Sequence, residues 1–220
     1  MQSSSSKTSL AGRRLPRVCI TGGIAAGKGL VGAVFAQQGV PVIDADQVCA
    51  DLLGRGRPLY LRLRRAFGKS IVGADGQIQR AVLGRLVFND PQQLEKLNRL
   101  MHPAAMRAIE AWVKQQRAAS RGAAFVVAQV PLVYEAHWEQ AWERIVCVCA
   151  PRPLQLERLR QRGLALAEAR ARIAAQWPQA DKMQRADYVV FNAGTRPNAR
   201  RQALEIYEDI KQHMEKKDGG

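Results

Sequence analysis

The sequence predicts an α/β fold built on a five-stranded parallel sheet. Five short apolar runs lead to this prediction, because most of them are continuously apolar rather than alternating, as strands covered on both faces are. Segments with helical spacing separate the runs, and this alternation of strand and helix is typical of a parallel sheet. The runs span residues 17–21, 40–44, 125–130, 144–149 and 188–191.

The uneven spacing of the runs predicts a helical insert. About eighty residues, 46–124, separate the second run from the third, whereas a crossover needs about a dozen or somewhat more. We therefore expect a helical insert at about 52–120. A chain of 220 residues fits one large domain that carries such an addition.

The end of the chain is predicted to be helical as well. Segment 152–185 is too long and too charged for a plain crossover, and it contains Gly163 and Pro178, which predict two helices with breaks. A last helix is expected at about 198–214.

The charge of the chain indicates an anionic partner. Lys and Arg number 34 against 19 Asp and Glu, which gives a formal net charge of +15. Nucleic acid, an acidic membrane and phosphorylated small molecules all fit this surplus. The composition, 47% hydrophobic and 24% charged, is that of a globular protein and argues against disorder over most of the chain.

The four cysteines are too few and too irregular for a disulfide framework, which favours a reducing compartment, and we expect the protein in the cytoplasm. Cys147 and Cys149 lie in an apolar run without further ligands at zinc spacing. No apolar run approaches the roughly 20 residues that cross a bilayer. Segments 1–16 and 215–220 are expected to be flexible tails around a domain at 17–214, although a short organellar presequence at the N-terminus stays open.

The strongest chemical signal follows the first apolar run. Residues 22–28 match G-x-x-x-x-G-K, the loop whose amides surround a phosphate at a helix N-terminus. Gly22 and Gly27 let the backbone approach the anion, and Lys28 supplies charge to the outer phosphates. The motif expects Ser or Thr next, since that hydroxyl ligates magnesium, but Gly29 stands there. We expect phosphate binding, while the efficiency of phosphoryl transfer stays open.

Two carboxylates, Asp44 and Asp46, end the second run. In extended backbone they project from the same face, and the carboxyl ends of parallel strands line a ligand crevice. A carboxylate there accepts a proton from an attacking hydroxyl or holds the water shell of a metal. The alternative, an aspartate that caps the following helix, stays open for each of them.

With these motifs the sequence resembles the dephospho-coenzyme A kinase family, whose members phosphorylate the ribose 3′-hydroxyl of dephospho-coenzyme A. The resemblance begins with T-G-G-I-x-x-G-K at 21–28 and V-I-D-A-D at 42–46, and it extends in order to about Met214. Further matching segments are F-G at 67–68, D-G at 75–76, V-F-N-D-P at 87–91, L-M-H-P at 100–103, V-P-L-V-Y-E at 130–135, R-x-x-x-R-G at 158–163, R-I-A-A-Q at 172–176 and A-D-Y-V-V-F-N-A-G at 186–194.

The resemblance implies a P-loop kinase with a helical substrate-binding insert and a helical lid at about 152–182. It implies ATP and magnesium as cofactors, dephospho-coenzyme A as the small-molecule partner, and neither nucleic acid nor a membrane. The implied nucleotide-binding residues are Gly23, Ala25, Ala26, Gly27, Lys28, Gly29, Leu30 and, near the adenine, Asn192. The implied catalytic residues are the base Asp46 with Lys28, Arg158 and Arg162, and the implied substrate-binding residues are Asp44 and His102.

The residues themselves leave alternatives open. Arg158 and Arg162 share a helix face, which suits a lid but also a solvated basic helix. His102 precedes a proline, where a helix boundary is an alternative to a ligand. An acid-free run of arginines in the insert fits either the substrate diphosphate or solvent. Its members are Arg55, Arg57, Arg62, Arg64 and Arg65.

Three departures from the family pattern concern the site. Gly29 lacks a hydroxyl, and Gln129 and Phe191 stand where many relatives carry Asp. The alternatives to a working kinase for dephospho-coenzyme A are a homologue that binds nucleotide or coenzyme with weak catalysis, and a kinase for another small hydroxyl substrate. A nucleic-acid binder ranks third, because no aromatic and basic platform is visible.

Overall fold

The computed structural model describes residues 15–88, 90–119 and 123–218. Its strands are β1 (Arg17–Gly22), β2 (Val42–Asp44), β3 (Val126–Gln129), β4 (Arg144–Cys149) and β5 (Tyr188–Phe191). They form one five-stranded sheet in the order β2-β3-β1-β4-β5, and each neighbouring pair is parallel. The predicted fold class is confirmed.

The central strand β1 lies between β3 and β4. Val18 is in register with Val127 on one side and with Arg144 on the other. Because all strands run in the same direction, their carboxyl ends meet at one edge of the sheet. That edge receives the loop after β1 and the aspartates after β2.

Helices cover both faces of the sheet and occupy the segments predicted to form the insert and the lid. They are α1 (Lys28–Gln37), α2 (Ala45–Leu52), α3 (Pro58–Phe67), α4 (Arg80–Phe88), α5 (Pro91–Ala119), α6 (Arg152–Gln161), α7 (Leu166–Ala174), α8 (Gln179–Arg185) and α9 (Arg196–Asp218). The cover on both faces explains why the strands are continuously apolar, since β1 and β4 each bury five of their six residues.

The hydrophobic core is divided between the sheet and the insert. One sheet face packs against α1 and α9 around Phe35 and Ile210, and the other packs around Ile109 and Tyr134. Helices α3, α4 and α5 bury a separate cluster that includes Leu63, and this cluster is the core of the predicted insert.

Two expectations about the helices are corrected. Segment 152–185 forms three helices instead of two, because the chain breaks both at Gly163, where φ is 86°, and before α8, where Pro178 is the N-cap. Helix α9 continues to Asp218, so residues 215–218 are helical. Residues 1–14 and 219–220 of the predicted tails lie outside the described residues.

All four cysteines are unpaired thiols, and Cys147 and Cys149 are buried in β4 as expected. Within the described ranges no helix combines the length and apolar character that crossing a membrane requires.

Candidate active site

The loop after β1 has the conformation that an anion-binding loop requires. Gly27, the N-cap of α1, has φ 110°, and Ala25 has φ 56°, so the backbone turns sharply before the helix begins at Lys28. The Ala26 amide donates to the Gly23 carbonyl at 3.1 Å, which closes the turn. The loop therefore presents the N-terminus of α1 to the sheet edge, and amides there favour a phosphate.

The Lys28 side chain folds back onto the first residues of this loop. Its Nζ donates to the carbonyl oxygens of Gly22 at 3.0 Å and Gly23 at 3.1 Å. Burial lowers the pKa of Lys28 to about 8, although the charge of Asp46 opposes the shift. Lys28 is thus a partly desolvated cation at the carboxyl end of the central strand.

Asp44 and Asp46 lie at the same edge but not as predicted. Strand β2 ends at Asp44 and α2 begins at Ala45, so the two side chains do not share a strand face. Asp44 Oδ1 accepts the Asp46 amide at 2.8 Å, which makes Asp44 the N-cap of α2. The capping alternative is therefore realised by Asp44.

Asp46 occupies the first turn of α2 close to two cations. Burial raises the pKa of Asp46, and the charge of Asp44 acts in the same direction, whereas the charges of Lys28 and Arg80 oppose the shift. The charges of Asp46 and Lys28 therefore interact at this edge of the sheet. Arg80, the first residue of α4, brings the insert to the same place, and sequence reasoning missed it.

Arg158 in the lid reaches the backbone of the phosphate loop. Its Nη1 donates to the carbonyls of Ala25 at 3.0 Å and Ala26 at 3.2 Å, and its Nη2 donates to the carbonyl of Asn192 at 3.4 Å. The Asn192 Nδ2 donates to the Ala26 carbonyl at 2.7 Å. Burial, and next the charge of Arg162, lower the pKa of Arg158. The lid and the segment after β5 thus meet on the loop.

A cavity of about 590 Å³ opens beside this contact. Guanidinium groups come to it from two helices that are separate in sequence, and no Asp or Glu is among the described residues that line it. Its lining residues are Ala25, Gly27, Gly29, Leu30, Arg158, Gln161, Arg162, Asn192, Arg196 and Arg200. A cavity with this loop at one side and guanidinium groups around it suits a polyphosphate. Arg196 and Arg200 were not predicted.

Three glutamines connect the lid to the same loop. Gln155 Nε2 donates to the Ile24 carbonyl at 2.6 Å, and Gln176 Oε1 accepts the Ile24 amide at 2.7 Å. Gln179 exchanges two hydrogen bonds with the backbone of Ala150 and donates to Gln155 Oε1 at 3.1 Å. The spacing of Gln155 and Arg158, three residues apart on α6, was a usable signal because it places both on one helix face.

His102 does not join the residues around the loop cavity. Helix α5 continues through Pro103, so His102 is not at a helix boundary either. Its ring packs edge-on against Trp138 with centroids 5.1 Å apart, and burial lowers its pKa. The substrate-binding role implied for His102 stays a prediction.

The three departures from the family pattern have different surroundings. Gly29 is exposed in the first turn of α1, and a Cβ there would meet no atom within 4 Å. Gln129 packs against α1, where a Cβ on Gly32 would lie 2.7 Å from its amide nitrogen. Phe191 ends β5 with 51% of its surface exposed.

Comparison with known proteins identifies the family. A family model for dephospho-CoA kinase matches residues 17–198. The chain belongs to the dephospho-CoA kinase family. The dephospho-CoA kinase of Geobacillus kaustophilus is 41% identical over 188 residues, which cover 85% of this chain and 92% of the relative. That of Enterococcus faecalis is 38% identical over 191 residues, with coverage of 86% and 94%.

Solved structures of similar proteins share the fold. The Thermus thermophilus protein TT1252 superposes with a TM-score of 0.77 and 31% identity over 90% of this chain and 98% of the other. The dephospho-CoA kinase of Campylobacter jejuni superposes with a TM-score of 0.64 and 22% identity, again over 90% and 98%. The family fold therefore extends over nearly the whole chain.

Proposed function

We propose that this protein transfers the γ-phosphoryl group of ATP to the ribose 3′-hydroxyl of dephospho-coenzyme A, which yields coenzyme A. The observation that carries the proposal is the meeting of a phosphate loop, Lys28 and Asp46 at one sheet edge, in a chain of the dephospho-CoA kinase family. Phosphoryl transfer depends on positioning and on stabilisation of charge, and these groups supply both.

Asp46 acts on the acceptor hydroxyl. Its charge interacts with that of Lys28, so a hydroxyl that binds to the carboxylate lies near the phosphate held by the loop. The raised pKa of Asp46 makes the carboxylate a better proton acceptor than an exposed aspartate. Asp44 supports this arrangement because it holds the Asp46 amide and so fixes the first turn of α2.

The cations stabilise the phosphoryl group during transfer. Lys28 approaches from the loop, and Arg158 and Arg162 approach from the lid at the cavity beside it. Guanidinium groups preorganised in a partly buried site stabilise developing negative charge more than exposed ones do. The contacts of Arg158 with loop carbonyls support a lid that closes on the bound nucleotide.

The residues at the sheet edge fit a magnesium ion that is held mainly by nucleotide phosphates and water. Magnesium keeps several waters and needs only one or two carboxylates, and Asp44 and Asp46 are the carboxylates at the end of β2 and the start of α2. Among the described residues no group of three or more His, Cys, Asp or Glu forms a protein cage for a metal. When bound, the ion neutralises charge between the outer phosphates.

The test is release of ADP in a coupled assay with ATP and dephospho-coenzyme A. We expect measurable turnover in the parent protein, near-complete loss in Lys28→Ala, and strong loss in Asp46→Asn. Unchanged turnover in Asp46→Asn would remove Asp46 from the role of base. Turnover with other small alcohols but not with dephospho-coenzyme A would contradict the proposed acceptor.

A second candidate, a homologue that binds both ligands but transfers phosphate weakly, is favoured by Gly29. The position that carries the magnesium-ligating hydroxyl in the motif is an exposed glycine with open space around it. Calorimetry decides between the candidates, because tight binding of ATP and dephospho-coenzyme A without ADP release is expected only for the second.

A further inference from the structure

Lys182 in α8 is a fully buried lysine that neither the loop motif nor the lid arginines explain. Its side chain is 0% exposed, and it is the only charged residue among the buried residues of the described part of the chain. Lysine is almost never fully buried unless its ammonium group is paired. The position therefore requires a specific account.

The ammonium group of Lys182 connects two other segments of the fold. Its Nζ lies 2.6 Å from Glu135 Oε1 and donates to the Pro131 carbonyl at 3.1 Å. The same Glu135 oxygen accepts the Trp177 amide at 3.0 Å. Lys182 thus ties the segment after β3 to the last part of the lid.

This connection reaches the start of the phosphate loop. The Pro131 carbonyl also accepts a hydrogen bond from Thr21 Oγ1 at 3.2 Å. Thr21 directly precedes Gly22, whose carbonyl accepts from Lys28. The ammonium groups of Lys182 and Lys28 therefore both lie near the carboxyl end of β1.

The charged groups around Lys28 come from several elements. Asp44 and Asp46 face it from the end of β2 and from α2, and Lys182 faces it from α8. The thiols of Cys147 in β4 and Cys19 in β1 lie near both lysines, but burial raises the pKa of each thiol and keeps it neutral. Lys182 is thus the cation among these groups, and its charge contributes to the lowered pKa of Lys28.

We propose that Lys182 is a positioning residue for phosphoryl transfer. Together with Glu135 it holds the segment after β3 against the last part of the lid, and its buried charge acts on the Lys28 ammonium group. This inference rests on the proposed nucleotide site. A buried ion pair is often replaceable by apolar residues without loss of stability, so stability alone does not account for it. A role as a fixed positive charge near the phosphate loop accounts for the buried ion pair.

The test removes each charge of the pair in turn. Lys182→Met keeps a long unbranched side chain without the charge, and Glu135→Gln keeps the shape and an acceptor oxygen. Lys182→Met removes the cation near Lys28 and should raise the pKa of Lys28. Glu135→Gln leaves the charge of Lys182 uncompensated and should lower the pKa of Lys28. A purely structural pair predicts no such opposite effects.

The readout is binding of ADP, in the presence of magnesium, measured by calorimetry from about pH 6.5 to about pH 10. The alkaline midpoint at which affinity falls should move up in Lys182→Met and down in Glu135→Gln, by about half a pH unit or more each. Lys114→Met, an exposed change of the same charge on α5, is the control and should leave the midpoint unchanged. Midpoints that stay at the parent value, or that move in the same direction, would overturn the proposal.

Circular dichroism verifies that each variant is folded. If Lys182→Met does not fold, Glu135→Gln and the apolar double variant Lys182→Met/Glu135→Leu provide the test. The midpoint of the double variant should lie above the parent value, because the charge of Lys182 acts on Lys28 more strongly than that of Glu135 does. Binding of ADP needs no acceptor, so a parent that binds ADP but does not phosphorylate dephospho-coenzyme A contradicts only the proposed function. A parent that binds no ADP contradicts both.

Discussion

At the scale of single residues, the site combines groups whose protonation is shifted by burial with one position that lacks a functional group. Lys28 and Asp46 are both partly desolvated and each opposes the shift of the other. Gly29 supplies no oxygen, but it has room for one. These features lead to two predictions.

Gly29→Ser should raise turnover and lower the magnesium concentration that gives half-maximal rate. The serine fits because no atom lies within 4 Å of the added Cβ and no unusual backbone angle is required. We expect a gain of about tenfold, which corresponds to about 1.4 kcal/mol of added transition-state stabilisation. Gly29→Ala, which adds the Cβ without the hydroxyl, is the matched control. An equal gain in both variants would assign the effect to helix propensity instead of the metal.

The pH profile of kcat/KM should have an acidic limb set by Asp46 and an alkaline limb set by Lys28. Because the pKa of Asp46 is raised, kcat/KM should fall with decreasing pH at a higher pH than an ordinary aspartate would give. Because the pKa of Lys28 is lowered to about 8, kcat/KM should also fall as pH rises through about 8. Bound phosphates favour the protonated lysine, so the alkaline limb of kcat should lie higher than that of kcat/KM. A flat kcat/KM between about pH 8 and about pH 10 would contradict the assignment.

At the scale of elements, the lid is attached to the phosphate loop at several points. Gln155 and Arg158 from α6 donate to loop carbonyls, and Gln176 accepts a loop amide. The helix dipole of α1 and the guanidinium groups of the lid therefore act on the same ligand position.

Arg158→Ala should lower kcat by about a hundredfold, because it removes a donor that is fixed beside the phosphate loop, where the proposed transfer takes place. The steady-state assay with ATP and dephospho-coenzyme A measures the effect. Arg160→Ala, an exposed arginine on the same helix, is the control and should change kcat less than twofold. Equal effects of both changes would mean that general positive charge, not the position of Arg158, matters.

At the scale of the whole molecule, the surplus of positive charge is distributed over more than one surface. Arg158, Arg162, Arg196 and Arg200 surround the cavity beside the phosphate loop, which accounts for part of the net charge of +15. The arginines of the insert are exposed on and before α3. The separate core of the insert also divides the molecule into a sheet part and an insert part.

Leu63→Ala should weaken the insert more than the nucleotide site. Leu63 is fully buried in the insert core, so its truncation should lower the free energy of unfolding by about 2–5 kcal/mol. We expect lower affinity for dephospho-coenzyme A with nearly unchanged affinity for ADP, both measured by calorimetry. Leu61→Ala on the same helix, where Leu61 is 54% exposed, should leave stability within about 0.5 kcal/mol. Loss of ADP affinity in Leu63→Ala would show that the two parts are not independent.

The sequence by itself determined the sheet, its parallel direction and the place of the phosphate loop. Continuous apolar runs are typical of strands that are covered on both faces, as β1 and β4 are, and the loop motif is local in sequence, so both are visible without coordinates. The insert was predicted from the length of the segment between the second and the third apolar run. Helix ends were harder to predict, as α9 shows, because a charged final turn resembles a tail.

Only the tertiary structure decided which distant side chains meet. Asp44 became a helix cap because β2 ends there, Arg196 and Arg200 joined the cavity because α9 follows the edge strand β5, and Lys182 was buried because α8 packs against the segment after β3. These contacts join residues far apart in the chain, and each of these side chains alone resembles an ordinary surface residue. Their electrostatic roles arise from burial and from proximity, which local sequence does not encode.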